Sequence, residues 1–130
     1  LIQYLGLGTS ALYDVGTGAN QIPGMSAFEL LEGDSGYMKF PNGFILQWGA
    51  GTMTGGGATS SSLTLSLPIT FPNNFFQGVA VLRDMSGGTS AGNSLYCNFQ
   101  TGTAPRNSIK VGIAGSNIGT TSFRFFAVGN

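Results

Sequence analysis

Along residues 63–69, apolar and polar positions alternate: Leu63, Leu65, Leu67 and Ile69 share one face, with Thr64 and Ser66 opposite. A period of two predicts a half-buried strand. Upstream, segments 37–40 and 44–48 flank Pro41-Asn42-Gly43, a tight-turn sequence in which Pro presets φ and Gly accepts positive φ. Phe44, Leu46 and Trp48 alternate in phase, which predicts that all three face the core. Segments 78–83, 94–100, 108–114 and 122–128 bring the total to about seven short strands, the pattern of an all-β, antiparallel β-sandwich. The last, within FRFFAV, is apolar on both faces, so it is expected to be central or to lie against a partner chain.

The first 35 residues read differently. Gly6, Gly8, Gly16, Gly18, Pro23 and Gly24 break them into extended, turn-rich chain. We therefore divide the sequence into a neck, 1–35, and a sandwich domain, 36–130. Within the neck, Ser26 can cap a short helical turn through AFELLE, with Glu29 at the capping-box position. The sequence opens at Leu1 without Met and in mid-pattern, which predicts a piece of a longer polypeptide.

If the strands run up and down, their connections sort by end. The Gly/Ser/Thr-rich loops 49–62, 84–94 and 115–122 fall at one end, and the stiffer corners 71–75, with Pro72, and 101–107 at the other. Loops carried by a rigid scaffold are the usual place for binding. The candidate binding residues are accordingly Thr52 and Met53 in the first loop, Arg83, Asp84, Met85 and Asn93 around the second, and Asn117 in the third. Arg83, Asp84 and Asn93 can offer paired donors or acceptors to hydroxyl or phosphate groups. Arg106 falls at the opposite end and suits a subunit contact. Pro41, Gly43, Trp48 and Pro72 are expected to be scaffold.

Composition narrows the function. Only 8% of residues are charged and the net charge is zero, so no electrostatic footprint for nucleic acid exists. Ten Phe on such a chain favour assembly with further copies, which removes apolar surface from water. No apolar run approaches the ~20 residues that span a bilayer, so membrane insertion is not expected. No basic segment followed by an apolar one suggests a signal peptide. The chain has no His, which removes the usual general base and the Ser-His-Asp arrangement, and its five acids lie mostly in the neck. We expect no enzyme. One Cys and no His cannot build nitrogen and sulfur coordination, so no transition metal is expected either. Cys97, alone and flanked by Tyr96, is expected to be a small buried apolar residue. LGLGTS lacks the strand-to-helix context of a dinucleotide fingerprint and GGGATSSS the Lys of a P-loop, so no cofactor is expected.

Two blocks carry a resemblance. DVGTGANQIPGMSAF (14–28) is similar to the linker that precedes the tip in tail fibres of phages of enterobacteria. YMKFPNGFILQWG (37–49), followed by LPITFPNNF (67–75), resembles the Pro-x-Gly turn, Gln-Trp-Gly strand and Phe-Pro corner of the same tips, and FRFFAVGN resembles their final aromatic strand. The resemblance implies a bacteriophage tail-fibre C-terminal domain: a homotrimeric receptor-binding tip on the virion, recognising bacterial surface glycan such as lipopolysaccharide. A fibre-assembly chaperone is a further partner it suggests. The alternatives are a trimerisation cap with the receptor site elsewhere on the fibre, and a polysaccharide depolymerase. No binding residue carries over from these blocks, because the frame is shared while the loops differ.

Overall fold

The structure, a computed structural model, describes residues 5, 6, 8–86, 94–98 and 106–130. Among them are six strands: β1 (Glu29–Leu31), β2 (Gly36–Lys39), β3 (Ile45–Ser66), β4 (Phe75–Ser86), β5 (Ser94–Asn98) and β6 (Ser108–Gly129). All pairings between these strands are antiparallel, in the order β1-β2-β3-β6-β4, and β5 pairs with the first half of β6. The expectation of an all-β antiparallel fold holds.

The strand count differs from expectation for a physical reason. Segments 49–62 and 115–122 were expected to be loops, yet both continue a β3–β6 ladder that runs from Ile45 opposite Gly129 to Ser66 opposite Ser108. Glycine, Ser and Thr read as loop residues, but in register across two long strands their backbones pair as well as any others. The ladder is irregular only between Thr54 and Ser60. There it doubles back. In a straight strand Gly51 and Leu65 would stand about 47 Å apart at ~3.4 Å per residue. Instead, a methyl group placed on Gly51 would lie 2.9 Å from Leu65 Cδ1. Likewise Gln47 Oε1 accepts a hydrogen bond of 2.9 Å from the Ile69 N–H. One continuous sheet thus makes both layers of a sandwich: β1, β2, β4 and one half of β3 and β6 in the first layer, β5 and the other halves in the second.

Between the layers lie two adjoining clusters. Ile45, Leu67, Phe71, Phe75, Ile109, Phe125 and Ala127 form one, and Met53, Val111, Ile113, Ile118 and Phe123 the other. The inward positions of β3 are Ile45, Gln47, Gly49 and Met53. Phe44, Leu46 and Trp48 do share a phase, as expected, but they are not in the core: Leu46 and Trp48 lie half-buried on the outer face, and Phe44 is exposed before the strand begins. The side that meets the second layer carries Gln47 and Gly49 and is the less apolar of the two, so the period reveals the alternation while hydrophobicity alone picks the wrong side. Gln47 is fully buried, and its amide oxygen satisfies a backbone donor that an apolar residue would leave unpaired.

At the end opposite the bend, the chain is tied by backbone bonds. The Asn73 and Asn74 N–H groups donate to the Asn130 carbonyl, the Leu67 N–H to Asn107 and the Phe71 N–H to Arg106. The Arg106 guanidinium in turn donates to the Pro72 carbonyl, which makes it a corner brace. The Pro41–Gly43 turn is present: the Gly43 N–H donates to Phe40 O and the Phe40 N–H to Phe44 O, with Gly43 at φ +86°.

The neck holds 3-10 turns at Thr9–Leu12 and Met25–Ala27 and one parallel bridge between Val15 and Ile22. The expected helical turn through 26–32 does not form. Ser26 lies inside a three-residue 3-10 turn without a side-chain cap, and Glu29–Leu31 pair with β2 instead. The sheet therefore begins at Glu29, inside the stretch assigned to the neck. Side-chain bonds reinforce that choice: Lys39 Nζ donates to Glu29 at 2.7 Å, and the Tyr37 hydroxyl donates to the other carboxylate oxygen. Cross-strand partners outweigh a local cap.

The Lys39 ammonium, and after it the Tyr37 hydroxyl, hold the Glu29 carboxyl below the usual carboxylate range. A lowered folded pKa gives stability that is present above the unfolded value and lost as pH falls through the folded one. Glu29→Gln should therefore melt slightly below the wild type at neutral pH, and the two melting curves should converge as the pH falls through the lowered folded value and wild-type Glu29 becomes protonated.

Candidate functional site

The bend is built from backbone that most residues avoid. Gly57 has φ +82° and Asn117 φ +53°, facing one another across the ladder, and Asn is among the few residues that tolerate the left-handed region. Beside them a methyl group on Gly55 would stand 2.3 Å from Ile118 Cγ2, so only glycine lets the fully buried Ile118 close the core under the bend.

Four strands meet here, the bent β3 and β6 and the ends of β4 and β5. The last residue of β4, Ser86, lies opposite Thr120, and the first of β5, Ser94, lies opposite Ala114, so both anchors of the connection between them flank the bend. Of the three segments expected as loops at this end, 49–62 and 115–122 are bent strand, and residues 87–93 of the third lie outside the described residues.

The outer face of the first layer changes character toward this end. Residues directly opposite one another point to the same side of a sheet. One cross-strand row holds Leu46 and Val128, the next Trp48, Phe126 and Val79, and the next Ala50, Arg124 and Val81. Nearer the bend come Thr52, Ser122 and Asp84, and nearest to it Thr54 and Thr120. The Thr52 and Ser122 hydroxyls are hydrogen-bonded at 3.2 Å. Thr52, Thr54, Thr120 and Asp84 are exposed, so the row presents hydroxyls and a carboxylate to solvent. Arg83, also exposed, sits at the irregularity between Leu82 and Asp84 and has no direct partner in the ladder register. Arg124 reaches back along the face to Asp34 at 3.0 Å.

The sequence-predicted residues divide clearly. Thr52, Arg83 and Asp84 come together on or beside one row, and Asn117 is exposed in the bend itself. Met53 does not belong with them. At 5% exposure it packs in the second core cluster, because the neighbour of an outward strand residue must point inward. Met85 lies in β4 opposite Thr121, and Asn93 falls outside the described residues. Ser122, which joins Thr52 to Asp84, was not among the expected site residues; its register across two partners is invisible in a linear sequence. Trp48 donates its indole N–H to the Gly33 carbonyl at 3.0 Å, so the β1–β2 turn holds its ring edge. A cleft of about 340 Å³ lined by Ser10, Tyr13, Asn20, Gln21, Ile22 and Pro23 belongs to the neck and contains no predicted site residue.

A family model described as tail fiber protein gp53-like, C-terminal, matches residues 39–130. The chain belongs to this tail-fibre family. The resemblance read from the two sequence blocks is thereby confirmed as a phage tail-fibre C-terminal domain, and the protein is virion-associated. Its fold is similar to that of an N-truncated R1-type pyocin tail fibre, with a TM-score of 0.66 and 13% identity over 99% of this chain and 93% of that one. A longer R1 pyocin fibre of P. aeruginosa gives the same TM-score and identity, and this chain spans 30% of it. An R2-type pyocin tail fibre is similar with a TM-score of 0.52 and 22% identity, over 84% of this chain and 38% of that one. No curated protein sequence matches. Among the described residues of this tail-fibre domain, no helix is long and apolar enough to cross a membrane.

The bend itself can be tested. Gly57→Ala places a side chain in the left-handed region and should cost about 1–2 kcal/mol in denaturant unfolding. Asn117→Gly should change stability by only a few tenths of a kcal/mol, because glycine accepts the same conformation.

Proposed function

We propose that this domain is the receptor-binding tip of its fibre and that the bend end carries the contact with bacterial surface glycan, lipopolysaccharide being the leading candidate. One observation carries the reading. The neck enters the sheet at Glu29, in the same cross-strand row as Lys39, Ile45 and Gly129, while the bend lies at the far end of the ladder. A fibre that arrives through the neck therefore points the bend away from itself, toward a host surface. The Thr52–Ser122–Asp84 row, with Arg83 and Asn117 beside it, supplies the donors and acceptors that sugar hydroxyls require.

The role is binding rather than cleavage. Two facing carboxylates are the usual equipment of a glycosidase, and here Glu29 is engaged by Lys39 and Tyr37 and Asp34 by Arg124. Weak sugar contacts gain strength from repeated presentation, so the domain acts as a homotrimer, with a chaperone as a further candidate partner in assembly. The reading as a trimerisation cap without a receptor site is favoured by one feature, the apolar outer face remote from the bend.

Binding of the purified domain to host lipopolysaccharides of graded truncation separates these readings. The triple variant Thr52→Ala, Ser122→Ala, Asp84→Asn should keep its fold and lose at least about tenfold in affinity, since each lost hydrogen bond contributes roughly 0.5–1.5 kcal/mol. Undiminished binding by the variant would move the site elsewhere, and no binding by the wild type to any host surface material would leave the cap. A solution mass three times that of the 13.4 kDa chain is expected; a monomer would remove the trimer.

A further inference from the structure

The outer face of the first layer is too apolar to be left to water. Its rows remote from the bend run Leu30, Met38, Leu46 and Val128 across four strands, then Trp48, Phe126 and Val79, then Ala50, Arg124 and Val81. Leu30 is 50%, Phe126 47% and Val81 58% exposed. Between Cα atoms the patch measures roughly 19 Å by 14 Å, from ~4.8 Å strand spacing and ~3.4 Å rise. With its side chains it reaches on the order of 500 Å², at the upper limit of what monomers normally expose.

We propose that a second copy of this chain covers this face in the assembled fibre tip. The inference rests on the fibre reading above and adds to it the surface on which copies meet. Three observations favour a second copy over a foreign partner. First, apart from Arg124 the 123–128 run is apolar on both sides, as in strands covered on both faces; Phe123, Phe125 and Ala127 meet the second layer, while Phe126 and Val128 point the other way. Second, the face is electrically complete. Its cation, Arg124, is already paired with Asp34, so it asks for an uncharged partner, and a chain with zero net charge and this same face supplies one. Third, the neck of each copy carries exposed apolar residues of its own. No described residue between 5 and 28 is buried, and Leu12, Tyr13, Val15, Ile22 and Met25 are all exposed. An interface commonly takes about 800 Å² from each partner; the face alone falls short of that, and the exposed neck of the same chain is a further source of apolar surface. A glycan is a poor occupant here, because hydroxyls need polar partners and the polar rows lie nearer the bend.

Val81 and Leu30 test this, since both are already exposed and on edge strands, where a monomer does not need them. Val81→Asp and Leu30→Asp should retain strand signal by circular dichroism while the solution mass falls toward one chain. The sole Trp reports on the same face: Trp48 emission should shift red when the wild type dissociates through about a hundredfold dilution series, as concentration-dependent assembly requires. A wild type that is monomeric throughout would overturn the proposal. So would either folded variant that keeps the wild-type mass with unchanged Trp48 emission. In that case the fibre reading would survive and only the face would be wrong, and glycan binding at the bend is read separately in either case.

Discussion

Everything in this domain depends on the doubling back of one ladder. β3 and β6 are each 22 residues long, far beyond the usual length of a strand. A flat ladder of that length would leave Phe123, Phe125, Ile109 and Val111 on an open face in water. Bent at Gly55, Gly57 and Asn117, the same ladder sets its two halves against each other and buries those side chains completely or nearly so. The hydrophobic contact drives the bend, and two positive-φ positions make it possible.

The bend also orients the molecule. Because the neck pairs in the Gly129 row, the corner bonds around Pro72, Arg106 and Asn130 share an end with the entering chain. The bend takes the other end. Chemistry follows that polarity along the outer face: leucine, valine and aromatics near the neck, an ion-paired arginine midway, hydroxyls and a carboxylate next to the bend. This change from apolar to polar along one axis is the asymmetry on which both the proposed glycan contact and the proposed face between copies rest.

Much of this was legible in the sequence, and the misses have definite causes. The Pro41–Gly43 turn, the alternation through Leu63 and Leu65, and the apolar final strand were read from local pattern because turns and period two are local properties. The Phe-Pro-Asn and Gln-Trp-Gly blocks carried the family. Segments 49–62 and 115–122 read as loops because Gly, Ser and Thr predict loops unless a distant partner lies in register. Met53 followed from that error: in a loop it would be exposed, in β3 it alternates inward. Glu29 reads as a capping-box residue because Lys39 and Tyr37 become its partners only across a strand pair.

The sequence by itself determined the class of fold, the fibre family and the low charge. Those rest on composition, period and motif, each of which needs only neighbours along the chain. Only the tertiary structure decided that two expected loops are one bent ladder. It also decided that Trp48 and Phe126 face outward and that Thr52, Ser122 and Asp84 form a row. These depend on register between residues 70 positions apart, and a period of two says which residues share a side without saying what that side will touch.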